Sequence, residues 1–206
     1  MAIQKEKSEL MEVEINRKFI HALGVFSILL IQVFGKNPAA VIMLFATIFG
    51  FLIAEYRKNR KKYKIIKIKK LDAFEDFLED GFKEIERPNS LIFKGAIEFG
   101  LGCTIATFAF SEKIAMACIA VLALADSLST LVGYYFGKYK LPINKKKTWE
   151  GSITFFLVSF FILYLFTNPL YALILALITT VVEALPYFDD NLSIPIGLGI
   201  AMNLIV

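Results

Sequence analysis

The chain has 206 residues, 57% of them hydrophobic and 20% charged, with a formal net charge of +4 and a mean hydropathy of +0.61. That much apolar surface exceeds what a soluble domain of this length can bury, so an ordinary water-soluble globule is excluded and lipid is the expected solvent. The net charge is mild; its arrangement matters more than its sum, and no nucleic-acid partner is expected.

Residues 1–18 mix Lys5, Lys7, Glu9, Glu12 and Glu14 without an apolar core. They do not read as a cleavable signal peptide and are expected to form a cytoplasmic N-terminal segment. Apolar runs of about 15 to 23 residues follow, near the length that spans a hydrocarbon core. They predict membrane helices at about 19–34, 38–55, 91–110, 114–136, 151–167, 169–185 and 192–206. The expected fold is therefore all-α: a polytopic membrane helix bundle with about seven transmembrane helices, residues 19–206 forming one membrane catalytic domain. Pro38 and Pro169 suit the first turn of a helix, where a missing N–H is tolerated, and each follows a short polar hairpin.

Between the second and third helices lies a connection, 57–90, that opens with a basic run from Arg57 to Lys62. Leu71, Phe74, Leu78, Phe82 and Ile85 then recur at steps of 3 and 4, which predicts a cytoplasmic amphipathic helix. With the N-terminus inside, 20 of the 23 Lys and Arg residues fall in inner segments: the N-terminal segment, this connection and the loop 137–150. The positive-inside rule then predicts N-terminus in and C-terminus out. Cys103 and Cys118 fall within predicted membrane helices without metal-type spacing and read as small buried hydrophobes.

Ionisable groups inside membrane helices are costly, so each is a functional candidate. Asp126 lies near the middle of the fourth predicted helix, and Ser129, Thr130, Gly133 and Gly137 follow on its face at spacings of 3, 4, 7 and 11. They predict a polar, small-residue groove, although a glycine-lined face also suits tight helix packing and Asp126 could merely pair with a lysine. Lys138 and the run Asn144 to Ser152 come next, carrying Lys147, Thr148, Glu150 and Gly151 into the start of the fifth helix. Ammonium groups and free N–H donors at a helix N-terminus suit a polyphosphate.

Glu183, Asp189, Asp190 and Asn191 form an acidic turn whose hard oxygens suit a divalent cation bound together with phosphates. Glu98 is a further buried carboxylate, or a partner for Lys94 one turn earlier. Arg17 and Lys18 open the first helix and read either as site residues or as snorkelling anchors. His21 is the one histidine in the chain, and a lone histidine is more often structural than catalytic. The charge count puts all of these groups on the inner face. Cations for phosphates, carboxylates for a metal and a groove open to lipid are the requirements of phosphoryl transfer to a membrane alcohol. No Walker motif, G-x-G-x-x-G or H-E-x-x-H occurs.

On these residues the chain resembles the family of dolichol kinases, CTP-dependent diacylglycerol kinases and phytol kinases, the polyprenol kinase family, which is related to phosphatidate cytidylyltransferases. Arg17-Lys18-x-x-His21 resembles the opening motif, and Asp126 through Gly133 to Phe136-Gly137-Lys138 resembles the D-x(6)-G-x-x-F-G-K core. Lys147-Thr148-x-Glu150-Gly151-Ser152 resembles the K-[ST]-x-E-G-S element, and Glu183 with Asp190-Asn191-Leu192 and Pro195 the closing pattern. The resemblance implies CTP as phosphoryl donor, Mg²⁺ or another divalent cation, and a lipid alcohol as acceptor: an isoprenoid alcohol of the dolichol, phytol or geranylgeraniol kind, or diacylglycerol.

In the expected site Asp126, Asp189 and Asp190 hold the metal. Arg17, Lys18, Gly133, Gly137, Lys138, Lys147, Thr148, Glu150 and Gly151 hold the CTP phosphates, and Asp126 or Glu183 takes the proton. Association of two copies of the chain is left open. The alternatives are a lipid-phosphate cytidylyltransferase, which would share the Lys-Thr-x-Glu-Gly element but whose long terminal signature is missing here, and a non-enzymatic carrier using Glu98 and Asp126 as an ion path.

Overall fold

The apolar runs form helices close to where the sequence puts them. The computed structural model describes residue 13 and residues 15–59, 94–187 and 189–206. The charged start of the chain and the expected amphipathic helix between Leu71 and Ile85 lie outside the described residues.

Seven helices are present among the described residues: α1 (Ile15–Phe34), α2 (Lys36–Asn59), α3 (Lys94–Ala109), α4 (Glu112–Tyr135), α5 (Trp149–Tyr164), α6 (Pro169–Ala184) and α7 (Asp190–Ile205). Three of them, α1, α4 and α2 over Lys36–Tyr56, are long and apolar enough to cross a membrane. Of the other four, α5, α6 and α7 have 16 residues each. At 1.5 Å per residue each of these three is about 24 Å long, short of a hydrocarbon core of about 30 Å. The chain is thus a membrane helix bundle.

Local chemistry explains the helix ends. Gly35 sits at φ 79 between α1 and α2, a left-handed conformation that a side chain disfavours. Asn168 accepts the Tyr171 N–H at 2.9 Å and Pro169 opens α6, as the sequence leads one to expect. α1 begins before residue 19, so Arg17 and Lys18 are helical. α7 begins before residue 192, because Asp189 caps it by accepting the Asn191 N–H at 3.0 Å. Hydroxyls within the helices turn back on their own backbone: Thr107 donates to Cys103 O and Thr179 to Leu175 O, both at 2.7 Å. These bonds satisfy groups that lipid would not.

The core is built around α4. Of its membrane-length window, 72% is buried, against 17% for α1 and 22% for α2. From Ile114 to Ser127 nearly every residue is buried whichever way it points, the pattern of a helix surrounded by protein on all sides. α1 and α3 pack on it from one side, α5 and α7 from another. α2 is paired with α1 and α3, and α6 with α5 and α7. Contacts from Arg17 to Gly95, from Lys18 to Asp126 and from Lys147 to Glu183 bring the starts of α1, α3 and α5, the second half of α4 and the end of α6 to one end of the bundle.

Candidate active site

α4 is not regular along its length. Val121–Ala125 form a π-helical turn, so that the Asp126 N–H donates to Val121 O, five residues back. Such single wide turns recur at functional sites, and this one immediately precedes the carboxylate in question. Beyond it the Asp126 carbonyl accepts the hydroxyls of Ser129 at 3.0 Å and Thr130 at 2.9 Å, which fixes two polar side chains on the same face.

The Asp126 carboxylate is 2% exposed and forms an ion pair with Lys18 of α1, itself buried. Two charges withdrawn from water this far are tolerable only together, since either one alone would bear a large desolvation penalty. The pair spans 108 residues of sequence.

After α4 the chain makes a compact loop. Lys140 and Thr148 form an antiparallel bridge, with Leu141 N–H donating to Lys147 O at 3.0 Å and Trp149 N–H to Tyr139 O at 2.9 Å. Buried Asn144 turns the tip, its Oδ1 accepting the Lys146 N–H at 3.2 Å and its carbonyl the Lys147 N–H at 3.0 Å. Thr148 caps α5 by accepting the Gly151 N–H at 3.2 Å. The glycines make the crossing of α4 and α5 unusually close. A methyl group on Gly133 would lie 2.9 Å from Thr148 Oγ1 and 3.4 Å from Gly151 Cα, and one on Gly151 would lie 2.9 Å from Ser129 O. Side chains are therefore shut out where the loop joins α5.

Lys147 points from this loop into the bundle. Its Nζ lies 2.7 Å from Glu183 Oε1 and 3.0 Å from Asp190 Oδ2, and it also donates to the Glu183 carbonyl. An ammonium has three donors, and here three protein oxygens are arranged to receive them. Burial pulls the Lys147 ammonium down, but Asp190 and Glu183 outweigh it and hold its pKa above the ordinary lysine value. Ser152 donates to Glu183 Oε2 at 3.4 Å. Asp189 Oδ1 accepts both the backbone N–H and the Nδ2 of Asn191, the latter at 2.8 Å, and the buried Asn191 Oδ1 is an acceptor with no donor among the described residues.

All of this lines one cavity of about 690 Å³. Of the residues expected from the sequence, Arg17, Lys18, Asp126, Gly133, Gly137, Lys147, Thr148, Gly151, Glu183, Asp189, Asp190 and Asn191 are brought together there. Four are not. The Lys138 side chain is exposed and Glu150 turns away to accept the N–H groups of Lys138 and Tyr139, at 3.0 and 3.4 Å, so Glu150 orders the loop. Glu98 pairs with the exposed Lys94 at 3.6 Å. His21 packs against Phe99 with ring centroids 4.8 Å apart and Nε2 3.3 Å from Gly95 O. Lys140, Asn144 and Lys146, which belong to the lysine-rich stretch seen in the sequence but had no individual role there, also line the cavity.

The lining holds five cationic side chains and four carboxylates. A site for phosphate alone would have an excess of cations, whereas near-balance suits a polyphosphate that arrives with a divalent cation. Among the described residues no group of three or more His, Cys, Asp or Glu is close enough to form a cation cage. Mg²⁺ does not require one, because it commonly takes one or two carboxylates and completes its shell with water and phosphate. The residues present fit that use, and the open Asn191 Oδ1 is a further hard donor in the same wall.

Known proteins decide which chemistry this arrangement resembles. The chain is similar to plant phytol and farnesol kinases. It is 29% identical to phytol kinase 1, chloroplastic, of Arabidopsis thaliana over 133 residues, covering 55% of this chain and 44% of the relative. The probable phytol kinase 3, chloroplastic, of Glycine max is 26% identical over 217 residues, with 92% of this chain and 62% of the relative covered. The farnesol kinase, chloroplastic, of Arabidopsis thaliana is 33% identical over 129 residues, covering 53% and 42%. The chain spans from 42% to 62% of the length of these curated relatives. No protein-family model matches it, and no solved structure matches it. The motif resemblance to the polyprenol kinase family is borne out by these relatives.

Proposed function

We propose that the protein is a CTP-dependent kinase of a membrane lipid alcohol, with its site on the cytoplasmic face of the bilayer. One observation carries the reading: two buried lysine–carboxylate clusters, Lys18 with Asp126 and Lys147 with Glu183 and Asp190, open into one cavity. The similarity to phytol and farnesol kinases supports an isoprenoid alcohol as acceptor.

Phosphoryl transfer asks little covalent work of a protein and much positioning and charge neutralisation. Exposed Lys140 and Lys146 at the cavity wall would meet the nucleotide phosphates first, with Arg17, Lys18 and Lys147 deeper. Asp126 and Asp190, with Asn191 Oδ1, would hold Mg²⁺, which supplies charge neutralisation across the phosphates. Gly133, Gly137 and Gly151 line the cavity next to the N-terminus of α5, whose backbone N–H groups would face a phosphate there. Glu183 or Asp126 would accept the proton of the attacking hydroxyl, each being a carboxylate held beside a lysine. The lysine distribution along the chain supports an inside N-terminus.

The test is a membrane preparation of the full chain given γ-labelled CTP and a series of prenols. Label in a lipid phosphate with release of CDP is expected. Release of pyrophosphate with CMP joined to lipid would overturn the kinase reading in favour of a cytidylyltransferase, and transfer from ATP but not CTP would overturn the donor.

A further inference from the structure

A second cavity, about 450 Å³, lies between α1, α2 and α3. Leu30 contributes from α1, Ile42, Ala46 and Ile53 from α2, and Ile97 and Gly100 from α3. Two hydroxyls reach its wall, and both are engaged within their own helices: Ser27 donates to Gly24 O at 2.6 Å and Thr47 to Met43 O at 2.8 Å. A lining with no open hydroxyl has nothing to offer a headgroup or a water molecule and suits hydrocarbon.

The inner end of this cavity abuts the polar one. Arg17 lines the polar cavity and lies against Gly95, where a methyl group would be 3.6 Å from its Nη1 and 3.8 Å from His21 Nε2. The next residues of α3, Ala96 and Ile97, line the apolar cavity. Phe99 belongs to both neighbourhoods, lining the apolar cavity while its ring packs on His21. Because the Gly95 carbonyl only accepts, the His21 proton is assigned to Nε2, which leaves Nδ1 a buried acceptor with no donor among the described residues. From Ile53 to Ile42 the lining follows α2 for about 16 Å away from this junction, at 1.5 Å per residue. Ile42 and Phe49 at its wall are 40% and 59% exposed, so the groove is open to the acyl chains along its side.

We propose that this groove seats the tail of the acceptor, a single-chain lipid alcohol, and brings its hydroxyl to the Arg17–His21 junction. The inference rests on the kinase reading above and adds to it where the acceptor lies and that it has one chain. A two-chain diacylglycerol would have to leave one tail outside the groove.

The test uses the purified full chain in lipid nanodiscs and the variant Ala46→Trp. Ala46 is exposed in the groove, so the indole fills it without displacing the core. KM for a long prenol is expected to rise on the order of tenfold or more, while kcat and KM for a short water-soluble prenol and the KM for CTP stay at wild-type values. Equal kinetics of variant and wild type on the long prenol would overturn the groove, as would wild-type phosphorylation of diacylglycerol as efficient as that of the prenol. If the wild type phosphorylates no alcohol, the kinase reading fails and the groove is judged on binding alone. A photoreactive prenol should then label peptides of α1 to α3 in the wild type and not in Ala46→Trp; labelling confined to other helices would overturn it.

Discussion

Lys18 and Asp126 form an ion pair whose side chains are only 7% and 3% exposed, joining the start of α1 to the middle of α4. Removing one member leaves the other charged and buried, which costs about 3–5 kcal/mol, whereas replacing both with apolar residues of similar size is close to neutral. Asp126→Asn is therefore expected to lose kinase activity and to melt earlier. The double variant Lys18→Met/Asp126→Leu should regain the thermal stability of the wild type and none of its activity. Thermal unfolding in detergent alongside the labelled-CTP assay separates the two roles, and recovered activity in the double variant would remove the pair from the chemistry.

Lys147 supplies a pH-dependent contribution to stability. Its folded pKa is raised above the ordinary lysine value of 10.5, because Asp190 and Glu183 together outweigh the effect of burial. A raised cationic group stabilises fully below its unfolded pKa, and the contribution is lost as pH rises through the folded value. The difference in melting temperature between wild type and Lys147→Met should thus persist up to about pH 10.5 and close only above that. Activity of Lys147→Met should fall on the order of 10² to 10³-fold at neutral pH, as when one preorganised donor is removed from a charged site.

The glycines of the α4–α5 crossing differ from Gly95 at the start of α3. Gly133→Ala would bring a methyl group to 2.9 Å from Thr148 Oγ1, while Gly95→Ala would meet nothing nearer than 3.6 Å. Gly133→Ala should lower the melting temperature and activity together, and Gly95→Ala should leave the melting temperature within error. Measuring the two variants side by side tests whether the crossing, rather than glycine content, is what matters.

Metal removal should separate activity from folding. Every carboxylate of the two buried clusters already faces a lysine, so no cation is needed to balance them in the resting protein. Chelation is expected to abolish transfer from CTP, with recovery on adding Mg²⁺, and to leave thermal unfolding unchanged. A large drop in melting temperature on chelation would contradict the lysine pairing.

Much of the bundle was legible from the sequence, because lipid imposes a coarse code. A run of apolar residues near spanning length must be helical, and Asn168-Pro169 and Gly35 punctuate it through chemistry that reads locally. Asp126, the acidic turn and the lysine loop were legible as well, since charge inside an apolar run has to be accounted for. What escaped was pairing across distance. Nothing local says that Lys18 lies against a residue 108 positions away, or that Lys147 turns inward to meet Glu183 and Asp190 while Lys138, equally basic, faces solvent. The π turn before Asp126 escaped for the same reason: VLALA is ordinary helical sequence, and only the packing around α4 shows the extra residue. Glu150 misled because a carboxylate beside lysines looks like chemistry, when here it holds two backbone N–H groups.

Three helices of only 16 residues, α5 to α7, have a consequence for the membrane itself. A bilayer meeting a protein flank thinner than its own interior dimples toward it, at a cost of fractions of a kcal/mol per Å of mismatch. Under the proposed function, such a depression beside the polar cavity would bring a nucleotide arriving from water and an alcohol dissolved in oil closer to one level, so that neither would be dragged far out of its own phase.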